Sequence, residues 1–255
     1  DYMSEMKFKY TIQQYQSDAV DSVVKVFSGQ PFNDRIHYRL DTGNDSKNKP
    51  GNSLLSTLSP EELSAGNISG IQSELGFYNA PVALSIGQLV KNIQNVQNEN
   101  NIKRSTALAK HLGACSLDVE METGTGKTYV YIKTMFELNR QYGWSKFIVV
   151  VPSIAIREGV QKSFQTMQDH FMELYGKKAR FFVYNSKNLT DIDNFSSSAD
   201  LSVMIINVQA FNARGKDARR IRMELDEFGS RRPMDVIQAN RPIAVSYTHL
   251  RAHET

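Results

Sequence analysis

Six consecutive residues, Thr123, Gly124, Thr125, Gly126, Lys127 and Thr128, have the composition of a phosphate cradle. The two glycines permit backbone angles that other residues resist. Successive backbone N–H groups can then turn into one concavity and bind phosphate oxygens. A helix that starts at Lys127 adds the positive end of its dipole. Lys127 would reach the β- and γ-phosphates of a nucleotide, and Thr128 would hold Mg²⁺ through its hydroxyl. The usual pattern for this chemistry is G-x-x-x-x-G-K-[ST]. Here Met121 stands where its first Gly belongs. That position lies farthest from the phosphates, so the contacting core is intact. The plain alternative is an ordinary Gly turn before Lys-Thr.

Such a loop works only between a strand that ends behind it and a helix that starts in front. "SLDVEM" (116–121) alternates Leu117, Val119 and Met121 and reads as the strand. "KTYVYIKTMFELNRQYG" reads as the helix, with Tyr131, Met135, Leu138 and Tyr142 on one face and Gly143 closing it. "KFIVVVP" is a continuous apolar run, as expected of a parallel strand covered on both faces. "SIAIREGVQKSFQTMQDHFMELYG" is the next helix, with Ile156, Val160, Phe164, Met167 and Phe171 inward. "ARFFVY" and "LSVMIIN" read as two more strands, "PMDVIQAN" as a short helix opened by Pro233, and "RPIAV" as the start of another strand. Strands alternating with helices give an α/β fold class with a mostly parallel sheet flanked by helices.

Upstream, residues 12–28 read as an amphipathic helix, with Ala19, Val23, Val26 and Phe27 at helical spacing. Residues 41–60 are rich in Gly, Asn, Ser and Pro and read as a loop. Short helices are expected over 61–112, the clearest placing Leu89, Ile93 and Val96 on one face. The 255 residues are 40% hydrophobic, enough for a core, and carry a net charge of +3. That balance permits an anionic partner without requiring one. The one cysteine, Cys115, excludes an internal disulfide and suits a reducing cytoplasm. No apolar run is long enough to span a membrane.

The stretch "METGTGKTYVYIKTMFELNRQYGWSKFIVVVPSIAIREGV" closely resembles the restriction subunit of type III restriction-modification systems. These are helicase-like ATPases of superfamily 2, whose phosphate loops begin with residues other than Gly. The resemblance covers about residues 7–245 and is densest over 116–160. It implies a RecA-like P-loop ATPase domain, ATP and Mg²⁺ as cofactors, double-stranded DNA as substrate and a modification (methyltransferase) subunit as partner. ATP-driven movement along DNA and cleavage by a separate nuclease domain are also implied.

The resemblance extends residue by residue to three further segments. "QQYQSDAV" looks like the adenine-reading element, with Gln16 offering a donor and an acceptor to the base; Tyr15 stacks on the base or simply packs. "VPSIAIREGV" looks like the loop that contacts the backbone of the tracked DNA strand, through Ser153 and Arg157. "IINVQAFN" looks like a second backbone contact, with Asn207 and Gln209. Contacts of this type position DNA without reading its sequence. "RGKDARRIRMELDEFGSRRP" carries seven basic residues but is diluted by acidic ones, so a solvated mixed-charge surface is the favoured reading over a DNA-facing patch.

Hydrolysis also requires an acidic pair at a strand end, which in the family follows the strand that begins here as "RPIAV". The chain instead continues "SYTHLRAHET", which resembles translated sequencing-adapter readthrough. Asp226-Glu227 follows a charged, helical-period stretch and is not expected to substitute. Four segments are therefore expected: 1–30 with the adenine-reading element, 31–115 as loops and helices, 116–245 as a RecA-like domain incomplete at its C-terminus, and 246–255 as a non-native tail. Another superfamily 2 helicase, or a non-catalytic P-loop module, remains as an alternative. A P-loop kinase should lack the Gln16 element and the "VPSIAIREGV" loop.

Overall fold

The structure is a computed structural model that describes residues 10–39, 75–109, 115–211 and 219–246. The expected loop at 41–60, Arg214, Lys216, and the tail beyond Ser246 with His249 and His253 lie outside the described residues. The chain divides into two compact units. One comprises Asp1–Asp34, Ala80–Trp144 and Gly159–Ala179; the other comprises Arg35–Asn79, Ser145–Glu158 and Arg180–Thr255.

The second unit holds a four-stranded, wholly parallel sheet in the order β4-β5-β3-β6. Its strands are β3 (Lys146–Val151), β4 (Arg180–Val183), β5 (Ser202–Asn207) and β6 (Ile243–Ser246). All four stand where the sequence places them. The central pair, β3 and β5, are the two continuous apolar runs, since strands covered on both faces have no polar side to show. On one face Ile148, Met204 and Ile206 pack with Ile192 and Phe195, and with Val236 and Ile237. The first two belong to helix α5 (Thr190–Ser197) and the last two to helix α6 (Pro233–Ala239). Phe147, Val149, Val151, Val203 and Ile205 alternate with them and are equally buried. Burying each such side chain contributes roughly 1.5–3 kcal/mol. Pro233 sits at the first position of α6, where its missing N–H costs nothing.

The same unit contains a short antiparallel pair, β1 (His37–Arg39) with β2 (Leu75–Phe77). A strand thus stands within the region where short helices are expected. Two buried asparagines organise the start of the parallel strands. Asn79 Oδ1 accepts from the N–H groups of Ser145 and Lys146, at 2.8 and 2.9 Å, and its Nδ2 donates to Lys146 O at 2.8 Å. Asn240 Nδ2 donates to Phe77 O at 2.8 Å and its Oδ1 accepts from Ser196 Oγ at 3.0 Å.

The first unit is helical: α1 (Gln14–Val26), α2 (Ile86–Glu99), α3 (Lys127–Tyr142) and most of α4 (Ile154–Tyr175). Phe136 and Phe171 stack at 4.9 Å between α3 and α4. Tyr142 Oη donates to Val24 O at 2.9 Å, joining α3 to α1. The buried residues of α1 are Gln16, Val20, Val24 and Val26; Val26 is as the sequence reading has it, while Val20 and Val24 take the places expected of Ala19 and Val23. A polar residue leads them because its carboxamide has a partner on a neighbouring loop.

One expectation fails. Residues 116–121 form no strand, and Val119 is 47% exposed. Alternation predicts a strand only where a partner pairs its N–H and C=O groups. Among the described residues this segment has no such partner. No helix of the described residues is long and apolar enough to cross a membrane.

Candidate functional site

Gly126 stops the chain upstream from continuing as helix: at φ 83°, ψ 39° it is left-handed, and α3 starts at the next residue. Gly124 has the same φ of 83°. Between them Thr125 folds the loop back, its Oγ1 donating to Glu122 O at 2.7 Å. The result is a tight turn whose C-terminal limb is the N-terminus of α3, where the first-turn N–H groups lack carbonyl partners within the helix. Thr123 and Gly124 are exposed, and Lys127 and Thr128 are half-buried. Among the described residues no protein group engages Lys127 Nζ or Thr128 Oγ1. The loop thus combines two left-handed glycines, a helix N-terminus and a lysine whose ammonium no described group engages, although residues 116–121 behind it form no strand.

Gln16 reaches this loop from α1. Its Nε2 donates to Thr125 O at 2.9 Å, while Tyr15 Oη donates to the same carbonyl at 3.2 Å. A Cβ at position 126 would lie 2.5 Å from Gln16 Nε2, so any other residue there must displace the Gln16 carboxamide as well as bear the positive φ. A side chain at 124 would meet nothing within 4 Å, so that glycine answers to φ alone. Lys133 Nζ donates to Ser17 Oγ at 3.3 Å and adds a further tie between α1 and α3. Gln16, Thr123, Gly124, Thr125, Gly126, Lys127 and Thr128 therefore come together in one unit. Tyr15 is 48% exposed and anchored by its hydroxyl.

For Mg²⁺ the chain offers one hydroxyl, Thr128; no acidic or histidine cluster able to hold a metal occurs among the described residues. A cation here would therefore rest mainly on nucleotide oxygens. Asp226 and Glu227 sit in a 3-10 turn, not at a strand end, and Glu227 pairs with Arg220.

In the second unit, β3 and β5 are neighbours with Val151 opposite Asn207. The segments that follow them leave the same edge at the same level, about 4.8 Å apart. Asn207 closes β5, and the segments that follow carry Ser153, Arg157 and Gln209. Ser153 caps α4: its Oγ accepts from Ile156 N at 3.3 Å and its carbonyl from Arg157 N at 3.0 Å. Asn207 Oδ1 accepts from Gln209 N at 3.0 Å, closing an Asx turn. These two side chains shape their loops. Gln209 is exposed and Arg157 half-buried, and Arg157 forms no ion pair among the described residues.

Four of the basic residues, Arg220, Arg222, Arg231 and Arg232, are engaged by other groups of this unit. Arg231 holds Asp193 through two bonds of 2.8 and 3.0 Å, Arg232 pairs with Glu224, Arg220 with Glu227, and Arg222 donates to Phe211 O. This favours the mixed-charge reading.

Three features had no weight in the sequence reading. Lys146, the first residue of β3, is buried; its ammonium is bound by the carbonyls of Phe195 and Ser198 at the end of α5. Burial pulls its pKa down to about 7. A lysine opening an apolar strand was the visible signal. His170 bonds Tyr129 Oη at 3.1 Å, beside the phosphate loop. Asn79 left no sequence signal at all.

Residues 87–230 match the family model described as type III restriction enzyme, res subunit. The chain is similar to the type III restriction-modification enzyme EcoP15I Res subunit of Escherichia coli, at 30% identity over 187 residues, 66% of this chain and 19% of that protein. It is 37% identical over 113 residues to the EcoPI Res subunit of Escherichia phage P1, covering 43% of this chain and 11% of that one. The StyLTI Res subunit of Salmonella typhimurium shows 32% identity over 154 residues, 51% of this chain and 15% of its own length. The chain spans about a fifth or less of the length of these curated relatives.

Proposed function

The chain belongs to the Res-subunit family of type III restriction enzymes, and from that membership we propose that its first unit binds ATP with Mg²⁺ as the nucleotide-binding part of an ATP-dependent restriction enzyme. One observation carries this reading. The carboxamide of Gln16 is seated on the carbonyl of Thr125, which supports reading Gln16 and the glycine loop as parts of one site. Lys127 takes the β- and γ-phosphates, the loop N–H groups take the remaining phosphate oxygens, and Thr128 supplies one oxygen to Mg²⁺. Gln16 reads the adenine edge.

The carboxyl edge of β3 and β5 holds the backbone of duplex DNA through Arg157 and Gln209, with Ser153 and Asn207 fixing the loop shapes. The parent enzyme uses ATP to move along DNA, together with a modification subunit, in the cytoplasm.

The test is calorimetric titration of the chain with ATP and Mg²⁺, unsubstituted and as Lys127→Ala. Binding that Lys127→Ala abolishes is the expected result. Binding that survives Lys127→Ala, or backbone protection by ATP that maps away from 123–128, would refute the loop assignment.

A further inference from the structure

Three aromatic rings meet at the start of α3. Tyr129 directly follows Thr128; His170 comes from α4, and Tyr10 from the segment that leads into α1. Tyr10 lies 6.3 Å from the Tyr129 ring at an interplanar angle of 24°, and 4.9 Å from the His170 ring. Tyr129 and His170 are 5.6 Å apart and share the 3.1 Å hydrogen bond. Tyr129 is fixed from behind by Phe171, at 5.4 Å. Tyr129 and His170 thus form a braced platform, and Tyr10 is laid on it.

Tyr10 is six positions ahead of Gln16 in the chain. The intervening Ile12, Gln13 and Gln14 are exposed, and α1 begins without a side-chain cap. Nothing in the lead-in itself therefore holds the first turn of α1 in place. What holds it is Tyr10 ahead of the turn, together with the bonds of Tyr15 and Gln16 to Thr125 O and of Lys133 to Ser17. An uncapped first turn frays unless tertiary contacts restrain it. A frayed turn would swing the Gln16 carboxamide off Thr125.

We propose that Tyr10, docked on Tyr129 and His170, is a positioning residue that holds Gln16 in register over the phosphate loop and so sets how strongly the site discriminates for the nucleotide base. This rests on the nucleotide reading above and deepens it. Tyr10 touches neither base nor phosphate; its effect passes through α1 to Gln16 alone. A ring at position 10 is what matters, because no partner engages the Tyr10 hydroxyl among the described residues.

The experiment compares ATP with inorganic tripolyphosphate, which presents phosphates without a base, by calorimetry on the full chain. Tyr10→Ala is expected to weaken ATP about fivefold, the worth of one aromatic docking contact, and to leave tripolyphosphate unchanged. Tyr10→Phe is expected to restore ATP affinity. Equal loss of both ligands in Tyr10→Ala would mean that the ring merely supports the loop, and would overturn the inference. So would unchanged ATP affinity in Tyr10→Ala. Should the unsubstituted chain bind neither ligand, the nucleotide reading itself fails and takes this inference with it.

Discussion

The two loop glycines offer an internal control for the contact between Gln16 and the loop. Gly124 and Gly126 share a φ of 83°, so an alanine at either position carries the same left-handed strain, about 1–2 kcal/mol. They differ in their surroundings. A Cβ at 124 meets nothing within 4 Å, whereas one at 126 lies 2.5 Å from Gln16 Nε2. Gln16 must then swing away and give up its 2.9 Å bond to Thr125 O. A net hydrogen bond is worth about 1 kcal/mol. Gly126→Ala should therefore destabilise the first unit by about 1 kcal/mol more than Gly124→Ala, roughly a fivefold difference in the folding equilibrium. Replacing Gln16 by Ala removes both the clash and the bond, so in that background the two glycine substitutions should cost the same. Trp144, the chain's one tryptophan, is buried in this unit and reports its urea unfolding by fluorescence. Equal costs with Gln16 present, or an excess that persists without it, would refute the reasoning.

Three further outcomes are expected. Tyr15→Phe removes the weaker of the two donors to Thr125 O and leaves Gln16 in place, so ATP affinity should fall about twofold, against about tenfold for Gln16→Ala, by calorimetry. Asp193→Ala leaves the guanidinium of Arg231, whose side chain is only 9% exposed, without its two carboxylate bonds; the loss should be about 2–3 kcal/mol, read as a lowered urea midpoint of the second unit. Lys146 has a folded pKa of about 7, below its ordinary value, so the unfolded chain binds a proton that the folded chain releases between pH 7 and 10. Stability should rise with pH across that window by at most about 1.4 kcal/mol per unit. Thermal melts at pH 7, 8 and 9 should show the rise, and Lys146→Met should flatten it.

The sheet was legible because its central strands are covered on both faces. β3 and β5 had to be apolar throughout, and that leaves a mark on the sequence that local context cannot erase. The segment 116–121 was misread for the converse reason. Its alternation satisfies a rule about paired strands, but pairing is a property of the neighbour and leaves no trace in the segment itself. The glycine turn at 124–126 was legible because positive φ at two fixed positions demands glycine. Gln16 was singled out by family resemblance alone, and its contact with Thr125 is visible only in the structure. The platform under Tyr10 joins residues 41 positions apart, Tyr129 and His170, and no spacing rule connects them. Lys146 and the asparagines 79 and 240 act by filling the hydrogen-bonding needs of other residues' backbones. Such roles depend on which carbonyl ends up buried, and composition does not encode that.

The antiparallel pair β1–β2 has a consequence for how this fold can vary. Arg39 and Leu75 face each other across the ladder, so the chain departs toward residue 40 and comes back from residue 74 at one place. Once two ends are already held together, the entropy of closing the excursion between them grows only with the logarithm of its length. Each doubling costs about 0.6 kcal/mol. Insertion and deletion are therefore thermodynamically cheap here, and relatives of this chain should differ in length between these two strands more freely than at any position inside the parallel sheet.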